Sequence, residues 1–93
     1  MSSEPPVQKL QVDQSLDLRG VERVTGYAKA RERLQAMTEN QVLELYLDEG
    51  EPLRSIPFGL RADGHEIVVS EPANPGVRLL VRKRSLLLMK EVV

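Results

Sequence analysis

The strongest constraint on the fold is that the chain switches between two hydrophobic periods. Residues 42–47 alternate in side-chain direction, which is the period of an extended strand. One side of this strand is apolar throughout, at Leu43, Leu45 and Leu47. Residues 27–37 instead repeat apolar side chains at the spacing of a helix, with Tyr27, Ala30, Leu34 and Met37 on one face. Strands and helices that follow one another in this way predict an α+β domain.

The remaining segments extend this pattern along the chain. A second helix is predicted over residues 52–63, where the apolar side chains share one face and Gly64 follows as a stop signal. Further strands are predicted at residues 15–18, 65–70 and 77–83. The predicted order is therefore β-α-β-α-β-β. This order is typical of a two-layer α/β sandwich in which both helices cover one face of a four-stranded mixed sheet.

The alternation along the strands also predicts which side chains face the helices. Ile67 and Val69 are expected to point toward them. The opposite, outer face of the sheet is expected to carry Val42, Tyr46, Val68 and Leu80. Because a two-layer sandwich leaves that face open, apolar residues there indicate contact with a partner or with another part of the chain.

The chain of 93 residues is expected to form one small domain at residues 13–83, with one modest core. Residues 1–12 are predicted to be a flexible lead, since they contain Pro5-Pro6 and little apolar material. Residues 84–93 form an apolar C-terminal extension. We expect this extension to pack on the outer sheet face or to form a homodimer with a second copy.

Composition limits the classes of function. The chain has no cysteine, which excludes disulfides, thiolate metal sites and thiol catalysis. A net charge of −1 gives no general attraction to nucleic acid or to acidic membranes. No run approaches the roughly 18 apolar residues of a membrane span. The first residues are polar and unlike a signal peptide, so a cytoplasmic location and no membrane association are predicted.

Several short motifs resemble one known family. Residues 16–20, Leu-Asp-Leu-Arg-Gly, resemble the opening of the TusA/SirA-like sulfur-carrier family, which reads Leu-Asp-x-x-Gly-Leu-x-Cys-Pro-x-Pro. Five later marks follow at the family's spacing: Met37, Asp48-Glu49, Ile56-Pro57, Gly64-His65 and Val81-Arg82-Lys83. The resemblance covers residues 15–83. It implies the two-layer sandwich that the hydrophobic periods predict independently.

The same alignment places Arg23 where the family has its cysteine, and Val24 and Gly26 where the family has prolines. The family carries sulfur as a persulfide on that thiol, so we predict that this chain is a divergent member and not an enzyme. The resemblance then implies a non-catalytic domain that binds another protein, in sulfur trafficking or its regulation. A cysteine desulfurase or a sulfur acceptor is the partner implied.

Candidate contact residues for such a partner fall in two places. Glu22, Arg23 and Thr25 surround the former cysteine position, and Thr25 is also the predicted N-cap of the first helix. Val42, Tyr46 and Leu80 lie on the predicted outer sheet face. Arg23 either presents a cation to an acidic partner or only fills the place of the lost cysteine.

An alternative function is RNA binding by the basic fourth strand. The candidate residues are Arg78, Arg82, Lys83 and Arg84. Open sheets that bind RNA usually add aromatic stacking platforms, and here only Tyr46 is placed for that role, so a nucleic-acid partner is not favoured. No metal or other cofactor is expected. His65 is the only histidine and has no cysteine beside it, so it is interpreted as a structural residue bonded to the backbone.

Overall fold

The computed structural model describes residues 10–85. Six elements follow one another: β1 (Gln14–Asp17), α1 (Arg23–Ala36), β2 (Val42–Leu47), α2 (Glu51–Ala62), β3 (Glu66–Pro72) and β4 (Val77–Arg82). The strands form one sheet in the spatial order β1-β2-β4-β3. Strands β1 and β2 run parallel, whereas β4 runs antiparallel to both β2 and β3. The predicted α+β sandwich with a four-stranded mixed sheet and two helices is confirmed.

The core is aliphatic and lies between the helices and one face of the sheet. Both helices and two strands, β2 and β4, supply its largest fully buried side chains: Leu34, Leu43, Leu45, Leu47, Ile56, Leu60, Leu79 and Val81. Every second side chain of β2 enters this core, which explains the alternation in residues 42–47. Each such burial contributes roughly 1.5–3 kcal/mol to folding.

Strand β3 departs from the sequence prediction at a β-bulge. Ile67 pairs with Val81, but Val69 pairs with Leu80, so Val68 is an extra residue in the ladder. Directly opposed residues share a face of the sheet, and an extra residue reverses the faces that follow it. Ile67 therefore packs against the core as predicted. The prediction that Val69 also faces the helices is wrong, because Val69 lies with Leu80 on the outer face.

Helix α1 begins earlier than its sequence suggests. The N-cap is Glu22, whose carbonyl accepts the first helical hydrogen bond from the Gly26 amide at 2.8 Å. Thr25 therefore lies inside the first turn, and the prediction that it caps the helix is wrong. Arg23 becomes the first helical residue.

After β4, two backbone amides tie the chain to the ends of the helical layer. The Arg84 amide donates to Nδ1 of His65 at 3.1 Å, and the Ser85 amide donates to Oε2 of Glu39 at 3.2 Å. Most of the N-terminal lead and of the C-terminal extension lies outside the described residues, so the predicted packing of the extension stays a prediction. Between residues 10 and 85 neither helix is long and apolar enough to cross a membrane.

Candidate functional site

Arg23 lies at an edge where two helices start together. Contacts advance in the same direction along both helices, from Gly26 against Ile56 to Tyr27 against Gly59 and Asp63. Helices α1 and α2 are therefore roughly parallel. Two glycines allow their close approach: a Cβ added at Gly26 would lie 3.3 Å from Cδ1 of Ile56, and one added at Gly59 would lie 2.7 Å from Cε1 of Tyr27.

Tyr27 forms a fixed aromatic surface between the two helices. Its ring lies directly on Gly59, and its hydroxyl donates to Oδ2 of Asp63 at 2.6 Å. The hydrogen bond to the Asp63 carboxylate, together with burial, raises the pKa of Tyr27 above its ordinary value. The guanidinium of Arg31 lies 3.8 Å from the same carboxylate oxygen. The ring is thus anchored at both its face and its hydroxyl.

Beside Tyr27 lies an open groove with a volume of about 490 Å³. We call it the helix groove, and it is lined by Arg23, Val24, Tyr27, Arg54, Ser55, Phe58 and Gly59. Phe58 is 72% exposed and Val24 is 57% exposed. Of the large hydrophobic side chains exposed among residues 10–85, only Val12 lies elsewhere. The exposed apolar surface of the described chain is therefore concentrated in this groove.

The charges that line the helix groove are both positive. The side chain of Arg23 makes no hydrogen bond or ion pair among residues 10–85, and the first turn of α1 contains no acidic residue. Arg54 Nη2 lies 3.3 Å from Oε1 of Glu51, but both side chains of this pair are largely exposed. An exposed ion pair of this kind contributes little to stability. Within the described part of the chain no carboxylate lines the groove.

The segment before α1 is fixed by the loop that follows β2. The amide of Gly20 donates to Oδ2 of Asp48 at 2.7 Å, and the amide of Val21 donates to the carbonyl of Leu18 at 3.1 Å. Gly20 has a φ of +82°, in the left-handed region where side chains are strained. This turn sets the point at which α1 begins, and thereby the position of Arg23.

The outer sheet face carries charges that are paired with one another. Nε of Arg78 lies 2.6 Å from Oε2 of Glu44, and Nη1 lies 2.7 Å from Oε2 of Glu71. Glu44 also accepts hydrogen bonds from the hydroxyls of Ser15 at 2.7 Å and Tyr46 at 3.2 Å. The Ser15 hydroxyl, followed by Arg78, holds the pKa of Glu44 below its usual range. Glu44 and then Glu71 raise the pKa of Arg78.

A neighbouring cation lies over the ring of Tyr46. The Arg19 guanidinium lies 4.7 Å from the centre of the Tyr46 ring and is held there by Asp17, with Nη2 of Arg19 at 2.7 Å from Oδ2. The hydrogen bond from Arg19 lowers the pKa of Asp17 to about 2. Arg19 also donates to the carbonyl of Pro75 at 2.9 Å. Tyr46 therefore does not present an open ring for stacking.

The four residues considered for RNA contact lie in and after β4: Arg78, Arg82, Lys83 and Arg84. Arg82 and Arg84 each place a guanidinium nitrogen 3.4 Å from Oε1 of Glu66. Lys83 points away from them, since its Nζ donates to the carbonyl of Leu34 in α1 at 2.7 Å. The structure thus brings acidic or carbonyl partners to each of these cations.

The residues considered for a protein partner divide into exposed and buried ones. Glu22, Arg23 and Thr25 are exposed at the start of α1, and Arg23 lines the helix groove. On the outer sheet face, Val42 is 3% and Leu80 is 4% exposed. Both side chains are therefore buried. Tyr46 is half-buried.

Sequence reasoning missed the two most exposed large hydrophobic residues in the described part of the chain, Val24 and Phe58. A signal was present for Phe58, because it lies two positions from both Ile56 and Leu60, which face the core. Two helical positions correspond to a rotation of about 200°, so a core-facing Ile56 predicts an outward Phe58. No comparable signal marked Val24, since its exposure depends on where α1 begins.

His65 is buried at the junction between α2 and β3. Its Nδ1 accepts a hydrogen bond from a backbone amide, as described above, which confirms the predicted bond to the backbone. Burial, and then the nearby charge of Lys83, lowers the pKa of His65 below its ordinary value. Within residues 10–85, no group of three or more acidic, histidine or cysteine side chains is arranged to hold a metal ion.

No family model matches the sequence, and no curated protein matches it. The resemblance to the TusA/SirA-like family therefore rests on the motif residues alone.

Proposed function

We propose that this chain is a non-catalytic protein-binding domain and that its partner docks on the helix groove. The observation that carries the proposal is the pair of exposed apolar side chains, Phe58 and Val24, above the anchored ring of Tyr27. Exposed apolar surface that is concentrated in one place and bordered by polar groups marks interaction sites. Large aromatic side chains at such sites commonly carry much of the binding energy.

The chemistry of the groove supports binding rather than catalysis. The described residues of its lining include no histidine and no carboxylate, so none of them is suited to act as a general base. Among residues 10–85, Ser55 is the only hydroxyl besides Tyr27 in the lining, and a serine nucleophile needs an adjacent base. The chain also lacks the thiol on which a persulfide forms. We therefore propose that the chain is not an enzyme.

The resemblance to the sulfur-carrier family supplies the proposed context. Arg23 occupies the position of the family's cysteine, and the groove extends from that position across to α2. We propose that the partner belongs to sulfur trafficking or its regulation, for example a cysteine desulfurase or a sulfur acceptor, in the cytoplasm. In this proposal Glu22 and Thr25 lie at the rim of the contact.

Affinity capture with matched variants tests the docking surface. Phe58→Ser removes the most exposed apolar side chain of the groove, and Val12→Ser removes an exposed apolar side chain elsewhere. We expect at least one protein to be captured by the wild type and by Val12→Ser but lost with Phe58→Ser. Identical capture by all three proteins would overturn the proposal.

Sulfur loading tests the proposed absence of catalysis. The protein is incubated with a cysteine desulfurase and cysteine labelled in its sulfur. We expect no label that survives denaturation and is released by a reductant, because no thiol is available. Such a label on the purified chain would contradict the proposal.

The RNA-binding alternative has no comparable observation in its favour, because the cations of β4 have acidic or carbonyl partners. If RNA binding occurs, it should weaken steeply with salt and be lost in the double variant Arg82→Glu/Lys83→Glu. A fluorescence titration with single-stranded RNA at low salt provides this measurement.

A further inference from the structure

We infer that the helix groove binds a protein segment in which acidic side chains flank a large apolar side chain. The inference depends on the proposed function, since it names the kind of segment that docks on the same surface. It is carried by two independent properties of the groove, the sign of its charges and the position of its apolar side chains.

The charges favour an acidic segment. Among residues 10–85 the lining contains Arg23 and Arg54 and no carboxylate. Arg23 has no partner among residues 10–85, and the Glu51 partner of Arg54 is 59% exposed in its side chain. Because such a pair contributes little, Arg54 can exchange Glu51 for a carboxylate of the partner. Arginine binds carboxylates through two parallel hydrogen bonds, which gives direction as well as attraction.

The apolar side chains favour a large apolar residue between those carboxylates. The volume of about 490 Å³ lies within the roughly 300–1,000 Å³ that is common for binding pockets. Val24 extends from α1 and Phe58 from α2, with the anchored ring of Tyr27 between the two helices. A rigid ring costs little entropy on binding, because its conformation is already fixed. A leucine or phenylalanine of the partner would bury Val24 and Phe58 together.

The same properties disfavour two other occupants. A symmetric dimer through this groove would place Arg23 and Arg54 of one copy against the same cations of the other, which costs binding energy. Single-stranded nucleic acid matches the charge, but two arginines allow few phosphate contacts. Of the two rings that residues 10–85 contribute to the groove, Tyr27 is half-buried and only Phe58 is largely exposed for base stacking.

A peptide selection followed by titration tests the inference. Random dodecapeptides displayed on phage are selected against the full chain. The enriched peptides are then labelled with fluorescein and titrated by fluorescence anisotropy. We expect them to combine Asp or Glu with Leu, Ile, Phe or Trp. Because loss of one strong ion pair or one apolar anchor typically costs about tenfold in affinity or more, we expect that loss with Arg23→Glu, Arg54→Glu and Phe58→Ser.

Two variants provide matched controls. Lys29→Glu makes the same change of charge as Arg23→Glu at an exposed position of α1 that does not line the groove. Val12→Ser matches Phe58→Ser as the loss of an exposed apolar side chain. We expect both controls to bind the peptides as the wild type does. Thermal melts of every variant verify that each is folded, so a loss of binding reports on the groove.

Each other outcome overturns a defined part of the argument. Enriched peptides that are neutral or basic, yet lose affinity with Phe58→Ser, would leave the docking surface standing and refute the acidic segment. An absence of peptides that depend on Phe58 or Arg54 would refute both the docking surface and the acidic segment. An oligouridylate that binds more tightly than the peptides and depends on the same residues would assign the groove to nucleic acid instead.

Discussion

The outer sheet face and the helix groove both display arginines, but they use them differently. On the outer face, Arg78 lies between Glu44 and Glu71, and its charge is satisfied within the chain. In the helix groove, Arg23 has no partner among the described residues and stands near the exposed ring of Phe58. A surface whose charges are paired within the chain contributes to the stability of the fold. A surface with unpaired cations and exposed apolar side chains is instead stabilised by contact with another molecule. Substitutions should therefore reduce stability on the first surface and binding on the second.

The largest effect on stability is expected from Glu44→Ala on the outer face. This change removes the acceptor of Arg78, Ser15 and Tyr46 together. Loss of a hydrogen-bonded, mostly buried carboxylate should lower the free energy of unfolding by about 1–3 kcal/mol, as measured by urea denaturation. The matched control is Glu71→Ala, which removes the second and more exposed carboxylate from Arg78. Equal losses for both variants would contradict the view that Glu44 organises this surface.

A smaller loss is expected from Gly59→Ala beneath the helix groove. Alanine in place of glycine normally stabilises a helix by roughly 0.5–1 kcal/mol. At this position the new Cβ would lie 2.7 Å from Cε1 of Tyr27, so the ring must move. We expect a net destabilisation of about 1 kcal/mol, seen as a lower melting temperature.

A second background shows whether Tyr27 is the cause of that loss. In Tyr27→Ala the contact is absent, so Gly59→Ala should stabilise the chain as it does in an ordinary helix. If Gly59→Ala has the same effect in both backgrounds, the ring is not fixed against α2 and the groove lacks the rigid surface that we describe.

A pH-dependent effect is expected at the opposite end of the helical layer. In the folded chain the pKa of His65 lies below its ordinary value of 6.5. Above pH 6.5 the histidine is therefore neutral in both the folded and the unfolded chain, and its full contribution to the free energy of unfolding is present. As pH falls below 6.5, the unfolded chain takes up a proton that the folded chain resists, and stability decreases. Protonation of Nδ1 would also remove the acceptor of the Arg84 amide, because Nδ1 would then be a donor. Nearby charges include Lys83, Asp63 and Glu39.

The variant His65→Asn isolates this contribution, because asparagine retains an acceptor but does not titrate. Melting temperatures are compared between neutral pH and about pH 5, the range in which histidines change charge. The wild type should lose more stability than the variant over this interval. A parallel decline in the two proteins would assign the pH dependence to the carboxylates instead.

The smallest effect on stability is expected from Phe58→Ser in the helix groove. Since this ring is mostly exposed, its removal should change the free energy of unfolding by less than about 0.5 kcal/mol. Chemical denaturation measures this change beside that of Glu44→Ala. A large destabilisation by Phe58→Ser would show that the groove contributes to the fold, and the contrast between the two surfaces would disappear.

The fold could be predicted from the sequence because hydrophobic periods depend only on residues that are near one another in the chain. The alternation at residues 42–47 and the helical spacing at residues 27–37 both correspond to the observed elements. The face of Val69 could not be read in this way, because a bulge depends on how β3 pairs with β4. Local sequence contains the hydrophobic period but not the register of a distant strand.

The candidate site was only partly predictable for a related reason. Arg23 is the first residue of α1, and helical spacing alone would have placed Phe58 on the surface. The sequence does not show whether an arginine has an acidic partner. Arg78 and Glu44 are 34 positions apart in sequence, and only the sheet brings them together. The cations of β4 and of α1 therefore looked alike in the sequence and differ in the structure.

The bulge in β3 also bears on how copies of this chain behave when concentrated. The order β1-β2-β4-β3 places β3 at an edge of the sheet, where unpaired amides and carbonyls can recruit another strand. The extra residue Val68 breaks the regular row of these groups, and Pro72 lacks an amide at the end of the strand. An edge interrupted in this way is a poor template for edge-to-edge aggregation. The irregularity that reverses the face of Val69 thereby helps to keep the sheet from growing.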